Sequence, residues 1–321
     1  MRLFVIILTM VVLPGLANCQ ISVEEASVTV KVVGDDQSPI EGARVGAGFE
    51  LPYWVNQPYR ATPREGITAN DGIVAFKEKT SGRVTFGVTK EGYYQTIGQP
   101  ISFASQLQAK APFEAEVTAT LKRKINPIAM YARKVQKEIP VATGPVGFDL
   151  EAGDWVAPYG KGGTSDLLFT LKRQFTDRRS YEASVTITFP NKGDGVQPIS
   201  LEDTNSGSEL KLPRTAPEDG YEPKLVASVG ASQNDAGHEG ASANSSFFFR
   251  VRTVLDDEKK VKSAVYGKID GGIRLDAINS KTCFVIFTYY LNPTPNDRNM
   301  EFNPQKNLFS NLTSDEQVTA P

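Results

Sequence analysis

From Val28 onward, apolar and polar side chains alternate with a period of two, and nothing else in the chain constrains its fold as strongly. Val28, Val30 and Val32 alternate with Thr29 and Lys31, and Val84-Thr85-Phe86-Gly87-Val88 and residues 115–121 repeat the pattern. A period of two puts successive side chains on opposite faces of a strand, one face toward a core and one toward water. Turn chemistry separates the runs. Gly34-Asp35-Asp36, Asn70-Asp71-Gly72 and Lys90-Glu91-Gly92 supply positive φ or local Asx hydrogen bonds. Short strands, frequent turns and no intervening helical run predict an all-β fold of antiparallel sandwiches.

The 321 residues are enough for two such domains, each with its own core. The expected division is a first β-sandwich over 20–123, a linker over 124–146, a second β-rich domain over 147–309 and a flexible polar tail over 310–321. Pro127, Pro140 and Pro145 interrupt the linker, and residues 130–137 between them could form two helical turns. In the second domain, strands are expected at 167–171, 181–189, 247–254, 263–269, 272–276 and 283–291. Asp256-Asp257-Glu258-Lys259 and Asp270-Gly271-Gly272 are hairpin signals between them. Phe284-Val285-Ile286-Phe287 is continuously apolar, as a central strand buried on both faces would be. Stretches 194–222 and 228–246 are rich in Gly, Ser and Asn or acid and are expected as long loops.

The beginning of the chain carries an address. Arg2 precedes an apolar run over 3–13, then Pro14-Gly15 and small residues up to Cys19. That order describes a secretory signal peptide over 1–19. The run falls short of the ~20 apolar residues a membrane-spanning helix needs. An exported protein follows: periplasmic, cell-surface or extracellular, with no transmembrane helix. Leu16-Ala17-Asn18-Cys19 resembles a bacterial lipobox, which makes Cys19 a lipidation candidate, although Asn18 stands where that pattern wants Gly, Ala or Ser. The other reading is cleavage after Ala17 or Cys19 with no lipid. If Cys19 is cleaved away or acylated, Cys283 lacks an intramolecular partner, and stability must then come from hydrophobic cores rather than disulfides.

The first domain also resembles a known family. A strand over 28–33 is followed by Pro39-Ile40-Glu41-Gly42-Ala43-Arg44-Val45. Next come Thr68-Ala69-Asn70-Asp71-Gly72-Ile73-Val74-Ala75-Phe76 and Lys90-Glu91-Gly92-Tyr93. This order is similar to the carboxypeptidase regulatory-like domain, a transthyretin-like β-sandwich, over roughly a third of the chain. The resemblance implies a fold and no activity, since such modules accompany many unrelated secreted proteins. Residues 46–66 are longer than the family pattern and carry Tyr53, Trp54 and Tyr59.

Chemistry-bearing patterns are few. With 35 Lys and Arg against 37 Asp and Glu, the chain lacks the concentrated positive charge of a nucleic-acid partner. A single histidine, His238, rules out multi-histidine metal cages and weakens a Ser-His-Asp reading. Cys283 could pair only with His238, but its setting beside Phe284 and Ile286 reads as a core thiol. Residues 159–165 are glycine-rich yet are no phosphate loop, because Trp155 and Gly162 stand where that loop needs Gly and Ser or Thr. Acidic groups such as Asp35-Asp36 and Asp256-Asp257-Glu258 lack the alternation of a calcium loop. No catalytic residue, metal or cofactor is therefore assigned.

Tyr53, Trp54 and Tyr59 are the candidate binding residues, because flat rings on a loop can stack on sugars or pack against a protein. They could equally fold back over the sandwich. The leading expectation is an exported, non-catalytic binding or scaffolding protein of a bacterial cell envelope, its ligand a polysaccharide or an envelope protein. The alternative is a secreted carboxylate-based hydrolase with its site in the second domain.

Overall fold

The computed structural model describes residues 23–52, 60–200, 207–232, 235–277, 279 and 281–321. The expected signal peptide and Cys19 lie outside these residues, as do Tyr53, Trp54 and Tyr59. The chain is all-β and of sandwich type; the described residues include one short α-helix, α1 (Ala104–Ala109), and a single 3-10 turn at Ala241–Asn244. No helix among the described residues is long and apolar enough to cross a membrane.

The first domain contains β1 (Glu24–Val33), β2 (Arg44–Glu50), β3 (Ala61–Ile67), β4 (Ile73–Thr80), β5 (Arg83–Thr89), β6 (Thr96–Ile97), β7 (Ile101–Ser102) and β8 (Phe113–Thr120). One sheet has the order β4-β1-β8 and the other β3-β2-β5-β6, with β7 also on β5. Alternate residues of β1, β2 and β5 point inward, so Val28, Val30, Val45, Phe49, Val84 and Val88 form the core between the sheets. The Asn70-Asp71-Gly72 turn works as its chemistry predicts. Asp71 Oδ1 accepts the Ile73 N–H at 2.9 Å, and Gly72 adopts φ +76° where a Cβ would lie 2.5 Å from the Val32 carbonyl oxygen. The sandwich is not wholly antiparallel: β1 and β8 run parallel, with Val30 opposite Val117.

The second domain contains β9 (Ile128–Glu138), β10 (Val146–Asp149), β11 (Asp154–Trp155), β12 (Leu167–Asp177), β13 (Ser180–Thr188), β14 (Gly195–Pro198), β15 (Lys224–Ser232), β16 (Asp235–Glu239), β17 (Phe247–Leu255), β18 (Val261–Asp276), β19 (Phe284–Asn292) and β20 (Phe302–Asn307). They form two six-stranded sheets, β11-β10-β12-β13-β15-β16 and β14-β17-β18-β19-β9-β20. Between them Phe148, Trp155, Phe169 and Phe287 pack ring against ring, with centroids 5.1 to 6.4 Å apart. A second apolar layer covers the other face of the β9-containing sheet, where Met130, Tyr290, Phe248 and Tyr266 meet Leu212, Met300, Phe302 and Val318.

Four expectations are corrected. Residues 130–137 are no helical turns in a linker but part of β9, paired with β19 from Phe284↔Glu138 to Leu291↔Tyr131. Burial on both faces hides the alternation there: Met130 and Ala132 enter the outer layer, and Val135 the inner core. Asp270-Gly271-Gly272 is not a hairpin but a bulge inside β18, where the register to β19 shifts between Asp270 and Ile273. The stretches expected as loops contain β14, most of β15 and β16, so His238 sits on a strand opposite Gly230. Residues 310–321 do not form a loose tail. The Lys134 N–H donates to the Glu316 carbonyl at 2.9 Å, Arg133 pairs with Glu316, and Val318 is buried in the outer layer.

Candidate functional site at the domain junction

A buried carboxylate is central to the junction of the two domains. Glu301 precedes β20 and is 1% exposed. Its Oε1 accepts the Tyr94 hydroxyl at 2.9 Å and the Ile125 N–H at 3.0 Å. Its Oε2 accepts the Asn126 N–H at 2.8 Å, and its backbone carbonyl takes the Ile128 N–H. A buried carboxylate with three donors is a strong, geometrically specific joint. Burial, then the adjoining Glu301, pushes the Tyr94 phenol far above its ordinary range, so it stays a donor.

Backbone contacts extend the joint. The Ile97 N–H donates to the Gly207 carbonyl and the Glu209 N–H to the Gln95 carbonyl, at 2.9 and 2.8 Å, around a Thr96↔Ser208 bridge. Gly207 has φ +68°, and a Cβ there would lie 2.0 Å from the Ile97 carbonyl oxygen. Only glycine permits that approach. Arg214 crosses the junction as well, reaching the Arg123 carbonyl at 2.7 Å and Asp35 at 3.3 Å.

Beside this joint lies a groove. A cavity of about 740 Å³ is lined by Tyr94 of the first domain, by Lys124 just after it and by Phe302, Gln305, Phe309 and Gln317 of the second, among others. It adjoins a cavity of about 510 Å³ over Arg44, Lys90, Glu91 and Tyr93, and the two share Lys124 and Glu209. Amides, hydroxyls and both signs of charge line it, and the Lys124 ammonium lies 5.3 Å from the centre of the Tyr94 ring. Such a lining can hydrogen-bond to a polar ligand and stack on it.

The acidic cluster of the second domain is occupied by its own structure. Arg252, at φ +57°, donates to both Asp166 oxygens at 2.8 and 3.0 Å and to Glu151. Asp149 accepts four backbone N–H groups at 2.9 to 3.0 Å, from Glu151, Ala152, Gly163 and Thr164. The glycine-rich turn over 159–165 thus wraps a carboxylate, not a phosphate. Burial works against ionisation of Asp149, but these donors hold its carboxyl below the ordinary range. Burial raises Asp166, and Arg252 only partly offsets it. With their oxygens engaged, these carboxylates brace the β10–β11 turn rather than face a substrate.

The thiol and imidazole are not brought together. Cys283 is buried in the inner core, where burial pushes its thiol up to about 11, and His238 is exposed on the other sheet. Among the described residues, no group of His, Cys, Asp and Glu is arranged to hold a metal ion. Sequence reasoning missed the junction altogether, because Tyr94 and Glu301 are 207 positions apart.

No protein-family model and no curated protein matches the chain. One solved structure similar to part of it is an intradiol ring-cleavage dioxygenase from Tetranychus urticae. The similarity covers 28% of this chain and 58% of that one, at 16% identity and a TM-score of 0.20. It therefore spans little more than half of that enzyme chain and transfers neither fold nor activity.

Proposed function

We propose that this is an exported, non-catalytic binding or scaffolding protein of a bacterial cell envelope, and that it takes an extended ligand into the groove at the domain junction. The observation that carries the reading is the junction itself. Glu301 and Gly207 join the two β domains, and beside that joint lie two adjoining cavities that share Lys124 and Glu209. A preset groove binds without ordering itself first, which favours recognition by a rigid scaffold. The lining favours a polysaccharide over an apolar peptide, since Gln305, Gln317, Glu209 and Lys124 offer donors and acceptors spaced along it.

Two features of the sequence support the remainder: the resemblance of the first domain to carboxypeptidase regulatory-like modules, and the signal-peptide pattern over 1–19. Binding to insoluble envelope polysaccharides, compared between the native chain and Lys124→Ala, Glu209→Ala and the double variant, tests the proposal. Progressive loss of retention supports the groove. Unchanged retention moves the site elsewhere, first to Tyr53, Trp54 and Tyr59.

A further inference from the structure

β9 is an inner strand along its first half and a sheet edge along its second. β19 pairs with it from Glu138 to Tyr131, whereas β20, on the other side, meets it only at Ile128 and Met130. Backbone groups of successive strand residues point alternately to the two sides. On β9 the even-numbered residues face away from β19, and each is covered by something different. The Ile128 N–H donates to the Glu301 carbonyl, and the Met130 carbonyl accepts the Leu308 N–H. The Asn307 side-chain amide serves both Ala132 groups, at 2.8 and 3.3 Å. The Lys134 N–H donates to the Glu316 carbonyl at 2.9 Å. At the far end the Trp155 indole N–H donates to the Glu138 carbonyl at 2.9 Å.

The cover stops between Glu316 and Trp155. Among the described residues, none hydrogen-bonds to the Lys134 C=O, the Gln136 N–H, the Gln136 C=O or the Glu138 N–H. Lys134, Gln136 and Glu138 are exposed, and a cavity of about 630 Å³ lined in part by Lys134, Gln136, Lys137, Asp315 and Glu316 opens beside them. Sheet edges are normally covered or shielded, because such groups are a template for another strand. These four groups form a complete set. In a parallel ladder, one residue of an added strand gives its N–H to the Lys134 C=O and its C=O to the Gln136 N–H. The residue two further on gives its N–H to the Gln136 C=O and its C=O to the Glu138 N–H. The Lys134 N–H and the Glu138 C=O, both already taken, are not needed. An antiparallel strand would call on both and compete with Glu316 and Trp155.

We propose that Lys134–Glu138 of β9 is a strand-addition site for an extended, uncharged segment of a partner protein, running parallel to β9 as β20 does. Three residues, about 10 Å at ~3.3 Å each, fill it. Their side chains follow from the register. The first and third stand beside Val135, which is buried, and Lys137, which Asp154 already pairs at 2.9 Å. Neither place asks for a charge, and β-branched residues suit both. The middle side chain stands beside Gln136, with Lys134 and Glu138 on either side of it on one face. A charge of either sign would meet a like neighbour there, so a hydroxyl fits best. Val-Thr-Val meets all three requirements. The site is separate from the junction groove and gives the chain a protein partner in addition to a groove ligand.

The test is titration of the full isotope-labelled chain with the capped tripeptide acetyl-Val-Thr-Val-amide, following the Gln136 and Glu138 amide resonances by NMR. The control is the same peptide N-methylated on both valines, which loses both donors and keeps every side chain. Gln136→Pro removes the N–H that faces the open edge and no bond of the ladder to β19. Saturable shifts of both resonances in the native chain, binding of the N-methylated peptide at least tenfold weaker, and a similar loss in Gln136→Pro are the expected results. No saturable shift in the native chain, equal binding of the two peptides, or native-like binding by a folded Gln136→Pro overturns the proposal. The two peptides decide on the native chain alone if the variant fails to fold.

Discussion

Replacing Lys268 by Met gives a stability change whose sign and pH dependence both follow from the structure. Met keeps an unbranched stem against Tyr290 and removes the amine. In the folded chain burial lowers the lysine from 10.5 to about 8, against the attraction of Asp270 and Glu301. A lysine depressed by folding destabilises the fold fully below the lower value, and the cost fades as pH rises toward the higher one. The difference of about 2.5 pH units corresponds to a cost of about 3 kcal/mol at neutral pH. Loss of the cation–ring contact removes up to about 1 kcal/mol of the gain.

Lys268→Met should therefore stabilise the second domain by about 2 kcal/mol at pH 7. The advantage should shrink between pH 8 and 10.5 and vanish near the upper end. Urea denaturation across that range checks this, and Trp155, buried in the second domain's core, reports the unfolding. A variant that is less stable at pH 7, or a difference that stays flat from pH 7 to 10.5, would refute the reasoning.

Glu301→Gln replaces an acceptor-only group that receives three donors, so one amide N–H must face a donor. A loss of about 2–4 kcal/mol is expected in thermal or chemical melts, with earlier proteolytic cleavage near Ile125. Gly207→Ala forces a Cβ toward the Ile97 carbonyl at a left-handed backbone position. It should loosen the junction, read as a larger radius of gyration by small-angle X-ray scattering with both cores still folded. Cys283 should resist Ellman's reagent at pH 8 in the native state and react at once in denaturant, because burial raises its thiol to about 11.

The sandwich architecture was legible where one face of a strand meets water. Val28, Val30 and Val32 alternate because Thr29 and Lys31 face outward, and the Asn70-Asp71-Gly72 turn announces its own geometry. Legibility failed where both faces are covered. β9 carries Ile-Ala-Met-Tyr-Ala without alternation, since its two faces enter two different apolar layers. The outer layer itself was invisible, because irregular segments around Leu212, Met300 and Val318 build half of it. The junction groove joins residues from both ends of the chain, and no local pattern encodes such a meeting.

Binding of the full chain to purified insoluble envelope polysaccharide, measured beside the Lys124→Ala/Glu209→Ala double variant, tests the groove most directly. Retention of the native chain and at least a tenfold weaker retention of a folded double variant is the expected result. Equal retention of the two would contradict a ligand site at the domain junction.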